Sequence, residues 1–282
     1  MNKKLISSVL AGAIALSTLS VSAFAATADK VVKTAGATTY KVTGTLAAPE
    51  INVTLPSAVG AVINPYGVSF EMKGQTYGAQ GVTSPVYTIK NNTTASAVSV
   101  VATATIAVPT TTDADKNKIP TIKVTQTEGD IATENAKTTG ANKTIYAVVA
   151  GYAPTAAVTV DKVPGYVDPN DSTKVVKDTQ LFAVGDTAAV DGVTEVKFTD
   201  VTLSTKDAPI TGTPETLMVI PKATAAVMDT DGTTVKTAAK VGYGQFQMGG
   251  SVTDQKKTPW TSSDKLTINL VLDIGPAADP TT

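Results

Sequence analysis

The sequence of 282 residues contains no histidine, no cysteine and no arginine, and a single tryptophan. Each absence removes a class of chemistry. Without histidine or cysteine there is no Ser-His-Asp triad, no Cys-His dyad and no zinc site built on nitrogen or sulfur. Lack of cysteine also removes any disulfide framework, so stability must come from burial and strand pairing. All 23 basic residues are lysine, which eliminates the planar fork that reads phosphate and carboxylate groups in two bonds at once. The 24 acidic residues bring the formal charge to −1 with no basic cluster, so no nucleic-acid partner is expected. Aromatics make up 5% of the chain, too few for the girdles of an outer-membrane barrel. The same scarcity argues against sugar-stacking platforms, and with them against a glycoside hydrolase built on paired carboxylates.

What is present begins with an export pattern. Asn2, Lys3 and Lys4 form a short basic start, residues 5–19 are apolar apart from small side chains and serine, and Ala23-Phe24-Ala25 follows. This reads as a secretory signal peptide over residues 1–25, and no later apolar stretch is long enough to span a bilayer. A secreted, cell-surface protein with no transmembrane segment after cleavage is expected. The C-terminal "GPAADPTT" lacks a sorting motif with a hydrophobic tail, so anchoring is expected to be non-covalent or by assembly.

After residue 25, Thr, Val and Ala dominate, and Gly or Pro punctuates the chain at short intervals, which is the composition of many short strands joined by turns. Strands are expected at 38–46, 50–56, 120–127, 144–152, 156–160 and 215–220. "PVYTIKNN" and "SAVSVVATATIAV" read as a hairpin turning at Asn91-Asn92-Thr93. In 194–203 the alternation slips between Phe198 and Val201, which predicts a bulge. An Asp-Gly step within 228–234 suits a hairpin turn. Helix is limited to a turn or two near 132–137. The last strand is the most regular: Leu266, Ile268, Leu270, Leu272 and Ile274 form one apolar face, with Trp260 just before it. Burying that face predicts an integral core strand, with Trp260 covering one end of the core. The expected fold is all-β, an antiparallel β-sandwich of Ig-like or jelly-roll-like type over 38–282. Polar stretches at 109–118 and 161–178 predict surface loops or a small inserted β lobe around 109–192.

Few motifs carry chemistry. Ser262 and Lys265 match S-x-x-K, but Lys265 opens an alternating strand, where the period of two keeps it from facing the serine as it would on a helix. Asp113, Asp115 and Asn117 alternate like the start of a calcium loop, yet Lys118 stands where glycine is needed. Asp229 and Asp231 flank a second acidic turn; both sets are calcium candidates on solvated loops. Tyr66, Tyr77, Tyr87, Tyr146, Tyr152 and Tyr166 are available for a binding surface, with core packing predicted for Tyr87 and Tyr146. Asn52, Asn91, Asn92 and Asn142 each begin an N-x-[ST] sequon. Lysines close to asparagines allow for intramolecular crosslinks if the fold brings them together. No catalytic residue and no cofactor is expected.

Two stretches carry a resemblance. "INVTLPSAVGAVINPYG" with "VTSPVYTIKNNTTASAVSV" (51–100) is similar to the opening of WxL-like cell-surface domains. "YGQFQMGGSVTDQKKTPWTSSDKLTINLVLDI" (243–274) resembles the closing segment of clostridial surface proteins. A strict W-x-L is absent, because position 262 is Ser262. Composition, export and strand pattern also resemble the TasA and camelysin fibre proteins of Gram-positive bacteria. The resemblance implies a non-enzymatic structural subunit of a fibre, pilus or surface layer, with self-association or other surface proteins as partners. A monomeric adhesin or ligand-binding module is the alternative. Strand pairing between copies is expected to use the N-terminal segment 26–37, whose apolar pair is Val31 and Val32, rather than the last strand.

Overall fold

Val, Ile and Thr are stiff at χ1 and fit a pleated surface, so a chain rich in them and broken by Gly, Pro and Asn favours short strands over helices. The computed structural model describes residues 51–72, 75–108, 110–112, 118–182, 193–200, 213–230, 232–261, 264 and 266–280. Among them the fold is all-β apart from one α-helix and one 3-10 turn. The expected signal peptide, the segment 26–37 and the strand expected at 38–46 lie outside the described residues.

β1 (Val53–Thr54), β2 (Val62–Asn64), β3 (Gly81–Thr83) and β4 (Tyr87–Asn91) come first. The 11-residue β5 (Ala97–Ala107) is followed by β6 (Lys123–Val124), helix α1 (Glu128–Ala136), β7 (Thr144–Tyr152) and β8 (Val158–Thr159). Next come β9 (Thr194–Lys197), β10 (Thr199–Asp200), β11 (Glu215–Ile220), the 13-residue β12 (Lys240–Val252) and β13 (Thr267–Ala277). The larger sheet runs β1-β4-β12-β7-β6, with β3 and β8 also on β12, β9 on β7 and β2 on β3. In the smaller sheet β5 is central, with β13 along one side and β11 and β10 along the other.

Both sheets turn apolar side chains into one cluster. β5 contributes Val100, Ala102, Ala104 and Ile106, β7 contributes Ile145, Ala147 and Val149, and β12 contributes Phe246, Met248 and Val252. Phe198, Leu217, Ile220 and Ile89 fill the space between them, each with no exposed surface. Tyr87 stacks on Phe246 with centroids 5.2 Å apart. Dense packing of this kind supplies most of the stability a chain without disulfides has available.

The opposite face of the larger sheet is covered too. Tyr146, Val148 and Ala150 of β7 pack against Ile131 of α1 and against Leu181 and Phe182. β7 is therefore buried on both faces, which explains its nearly unbroken apolar run. Two buried glutamines, Gln245 and Gln247, read the backbone of the covering segment. Gln247 Oε1 accepts from the N–H groups of Leu181 (2.9 Å) and Phe182 (3.3 Å), and its amide donates to the Ser84 carbonyl at 3.0 Å. Gln245 Oε1 accepts from Thr179 N–H at 3.4 Å, two residues earlier on both segments.

Several sequence expectations are revised. β4 and β5 are not a hairpin: β4 pairs with β1 and β12, and β5 with β13, β11 and β10, so residues 92–96 arch from one sheet to the other. Asn91 builds that arch. Its Oδ1 accepts from Thr93 N–H (2.9 Å), and its amide donates to the carbonyls of Ser96 (3.2 Å) and Pro221 (3.0 Å). The slip expected after Phe198 is a change of sheet rather than a bulge: β9 pairs with β7, Phe198 is buried, and β10 pairs with β5 in parallel. The strand expected at 120–127 is limited to the short pieces Lys118–Pro120 and Lys123–Val124, and α1 follows from Glu128. The polar stretch 161–178 holds the hairpin Val167–Asp168/Asp171–Val175, and Thr110–Thr112/Lys118–Pro120 forms another in the first. β12 has no counterpart among the expected strands.

Candidate functional site

The last strand supplies the most unusual surface. β13 pairs with β5 at every position from Thr267↔Ala107 to Ala277↔Ala97 with no shift in register. Along its other side no strand is paired among the described residues. It is therefore a long sheet edge, and burial falls steeply towards it. On β5, Val98, Val100, Ala102 and Ile106 have no exposed surface, whereas on β13 Ile268, Leu270, Leu272 and Ile274 are only half-buried. Leu266, Ile268, Leu270 and Leu272 still pack against the core cluster. On the opposite face Thr267, Asn269, Val271 and Asp273 are exposed, with Val271 at 60%. β13 is thus an integral strand of the smaller sheet with its apolar face on the core, but its edge position among the described residues leaves that face only half-buried.

The start of β13 is firmly held. Lys143 Nζ donates to both carboxylate oxygens of Asp264 at 2.8 Å, and Thr261 N–H donates to Asp264 at 2.6 Å. Burial pushes the Asp264 carboxyl up, but the bonds from Lys143 and Thr261 outweigh it and hold the group below its ordinary range. Trp260 is 5% exposed within the core cluster, and its indole N–H donates to the Thr253 carbonyl at 2.8 Å. A cleft of about 500 Å³ opens beside it, lined by Ile63, Tyr66, Trp260, Asp264 and Leu266. Tyr66 is 56% exposed, and its hydroxyl donates to the Trp260 carbonyl at 2.8 Å.

The other candidate residues are not gathered into a site. Tyr77, Tyr87 and Tyr146 are buried, Tyr152 and Tyr166 are half-buried, and only Tyr66 offers an exposed ring. Val31, Val32, Asp113, Asp115, Asn117, Asp231, Ser262 and Lys265 lie outside the described residues. Asp229 is exposed, and its Oδ1 accepts from Thr230 N–H at 2.7 Å, a local turn. Among the described residues no group of three or more acidic side chains could hold a metal ion, and no helix is long and apolar enough to cross a membrane.

One lysine and one asparagine do meet a shared carboxylate. Glu134 accepts from Lys137 Nζ at 2.8 and 2.7 Å and from the Asn142 N–H at 2.8 Å. The bonds from Asn142 and Lys137 pull the carboxyl down to about 2. The trio anchors the C-terminal end of α1 through an ion pair and a main-chain bond. No protein-family model, curated protein or solved structure matches the chain.

Proposed function

We propose that the protein is a secreted structural subunit of the cell surface that assembles by strand pairing into a fibre, pilus or surface layer. The observation that carries this reading is the long edge of β13, along which no strand is paired among the described residues. Natural sheets shorten, charge, twist or cover such edges, because a free row of N–H and C=O groups templates another strand. The 11-residue edge of β13 is long, has no shift in register and presents a half-exposed apolar face; of these devices it carries, among the described residues, only the exposed Asp273 and, near its end, Pro276. The export pattern at residues 1–25, the absence of histidine and cysteine, and the resemblance to WxL-like and fibre-forming surface proteins support the same assignment. On this reading the segment 27–37, with Val31 and Val32, acts as a donor arm, and no catalytic activity is assigned.

A monomeric ligand-binding module is the second reading, favoured by the cleft between Tyr66 and Trp260. Size-exclusion chromatography with negative-stain microscopy separates the two. Concentration-dependent filaments or lattices are expected; a protein that stays monomeric at high concentration refutes the structural reading.

A further inference from the structure

The edge of β13 carries enough detail to name its partner. Pro276 lies within the paired strand, opposite Val98. Proline is tolerated in a paired strand where its missing N–H points away from the neighbour. Because backbone direction alternates, the even-numbered residues Ile268, Leu270, Leu272 and Ile274 then also point their N–H and C=O groups outward. These groups form a regular hydrogen-bonding row with no bulge in the register to spoil it.

We propose that this edge pairs with the same edge of a second copy, antiparallel and two-fold symmetric about Val271. In that register Leu270 faces Leu272 and Ile268 faces Ile274 on the inner side, so each copy covers the flank that the other leaves exposed. On the outer side the exposed Val271 meets its own counterpart, and Asp273 meets Asn269, an amide that can donate to it. Moving the axis to Leu272 sets Val271 against the Asp273 carboxylate, and moving it to Asp273 sets two carboxylates face to face. Moving it to Leu270 sets Val271 against Asn269. Only the axis at Val271 matches valine with valine and gives the strand's single described charge a hydrogen-bonding partner. Pro276 falls at the end, opposite Leu266, where its missing donor costs least. About eight main-chain hydrogen bonds join the two copies.

The contact rests on the self-assembly reading only for its partner being this same chain. A two-fold contact closes on itself at a dimer, so a filament requires a second contact.

The test uses the full protein as its source produces it. It has no cysteine, so single cysteines report proximity directly. In this register Val271 forms a non-hydrogen-bonded pair with Cα atoms about 4.5 Å apart, within disulfide range. The Val271→Cys variant is expected to run as a covalent dimer after mild oxidation. Thr267→Cys is expected to stay monomeric on the same gel, because the two copies of that position lie about 27 Å apart. Val271→Lys, at a solvent-exposed position, is expected to keep the wild-type unfolding curve and raise the dimer dissociation constant at least about tenfold in sedimentation. A Val271→Cys protein that stays monomeric, or equal crosslinking at both positions, overturns the contact; so does pairing of the edge with the N-terminal arm instead. Filaments that form unchanged from Val271→Lys overturn the contact and leave assembly standing. Dimers without filaments leave the contact standing and refute the fibre.

Discussion

Buried polar side chains such as Gln247, Asn91 and Glu134 do much of the positioning here. Gln247 has no apolar substitute: it accepts from Leu181 and Phe182 and donates to Ser84, joining two strands to the covering segment. Gln247→Leu leaves those backbone groups without partners, at about 1–3 kcal/mol for each one stranded. Urea denaturation is expected to show a loss of at least about 2 kcal/mol, and an unchanged midpoint would refute the ladder. Glu134 gives a pH signature. Its carboxyl is lowered from 4.5 to about 2 in the folded protein. A depressed carboxyl adds stability that is fully present above the unfolded value and is lost as the pH falls through the folded one. Thermal unfolding followed from pH 4.5 down to about 2 is therefore expected to lose stability over that window. In Glu134→Gln this loss is expected to be shallower, from a lower starting stability at neutral pH. Asp264, lowered in the same direction, adds to the acid sensitivity.

At the scale of elements, apolar runs located β7 and β11 and alternation located β13, but both missed β12, the central strand of the larger sheet. Four glycines, Gly242, Gly244, Gly249 and Gly250, mask it, since glycine weakens a strand taken alone. Tertiary packing requires them. A Cβ on Gly242 would lie 1.8 Å from the Pro221 carbonyl oxygen, one on Gly244 2.4 Å from Met218 Sδ, and one on Gly249 2.8 Å from the Phe182 ring. The smaller sheet and the covering segment thus approach β12 from opposite faces, and only a strand without side chains at those points admits both. β13 shows the converse: its pattern is perfect, but its position is peripheral. Leu217→Ala, fully buried in β11, is expected to cost about 2–5 kcal/mol. Leu270→Ala, half-buried on β13, is expected to cost less than half as much in the same denaturation experiment on the dissociated protein. Equal costs would mean that the edge is covered within a single copy.

The whole molecule has little net charge, −1, and β13 carries one described charge, Asp273, so association is expected to be driven by burial and main-chain bonding rather than by steering. Filament growth needs two different contacts per copy, and the donor arm 27–37 is the proposed second one. Deleting 27–37 is expected to remove filaments from negative-stain fields while dimers persist in size-exclusion chromatography. Filaments of unchanged length would refute the arm's role. Mass spectrometry of the native protein, expected to begin at Ala26, tests the export reading independently.

Composition alone determined the all-β class, the short strands and the loss of histidine and cysteine chemistry, because these depend on residue types rather than on neighbours. Alternation further determined which face of each strand is apolar, since side chains project perpendicular to the sheet. It carried no information about neighbours within the sheet plane, where pairing runs through backbone groups that every residue except proline shares. Only the tertiary structure decided that β4 and β5 belong to different sheets, that a glycine-rich segment is central, and that the most regular strand in the sequence is a sheet edge among the described residues.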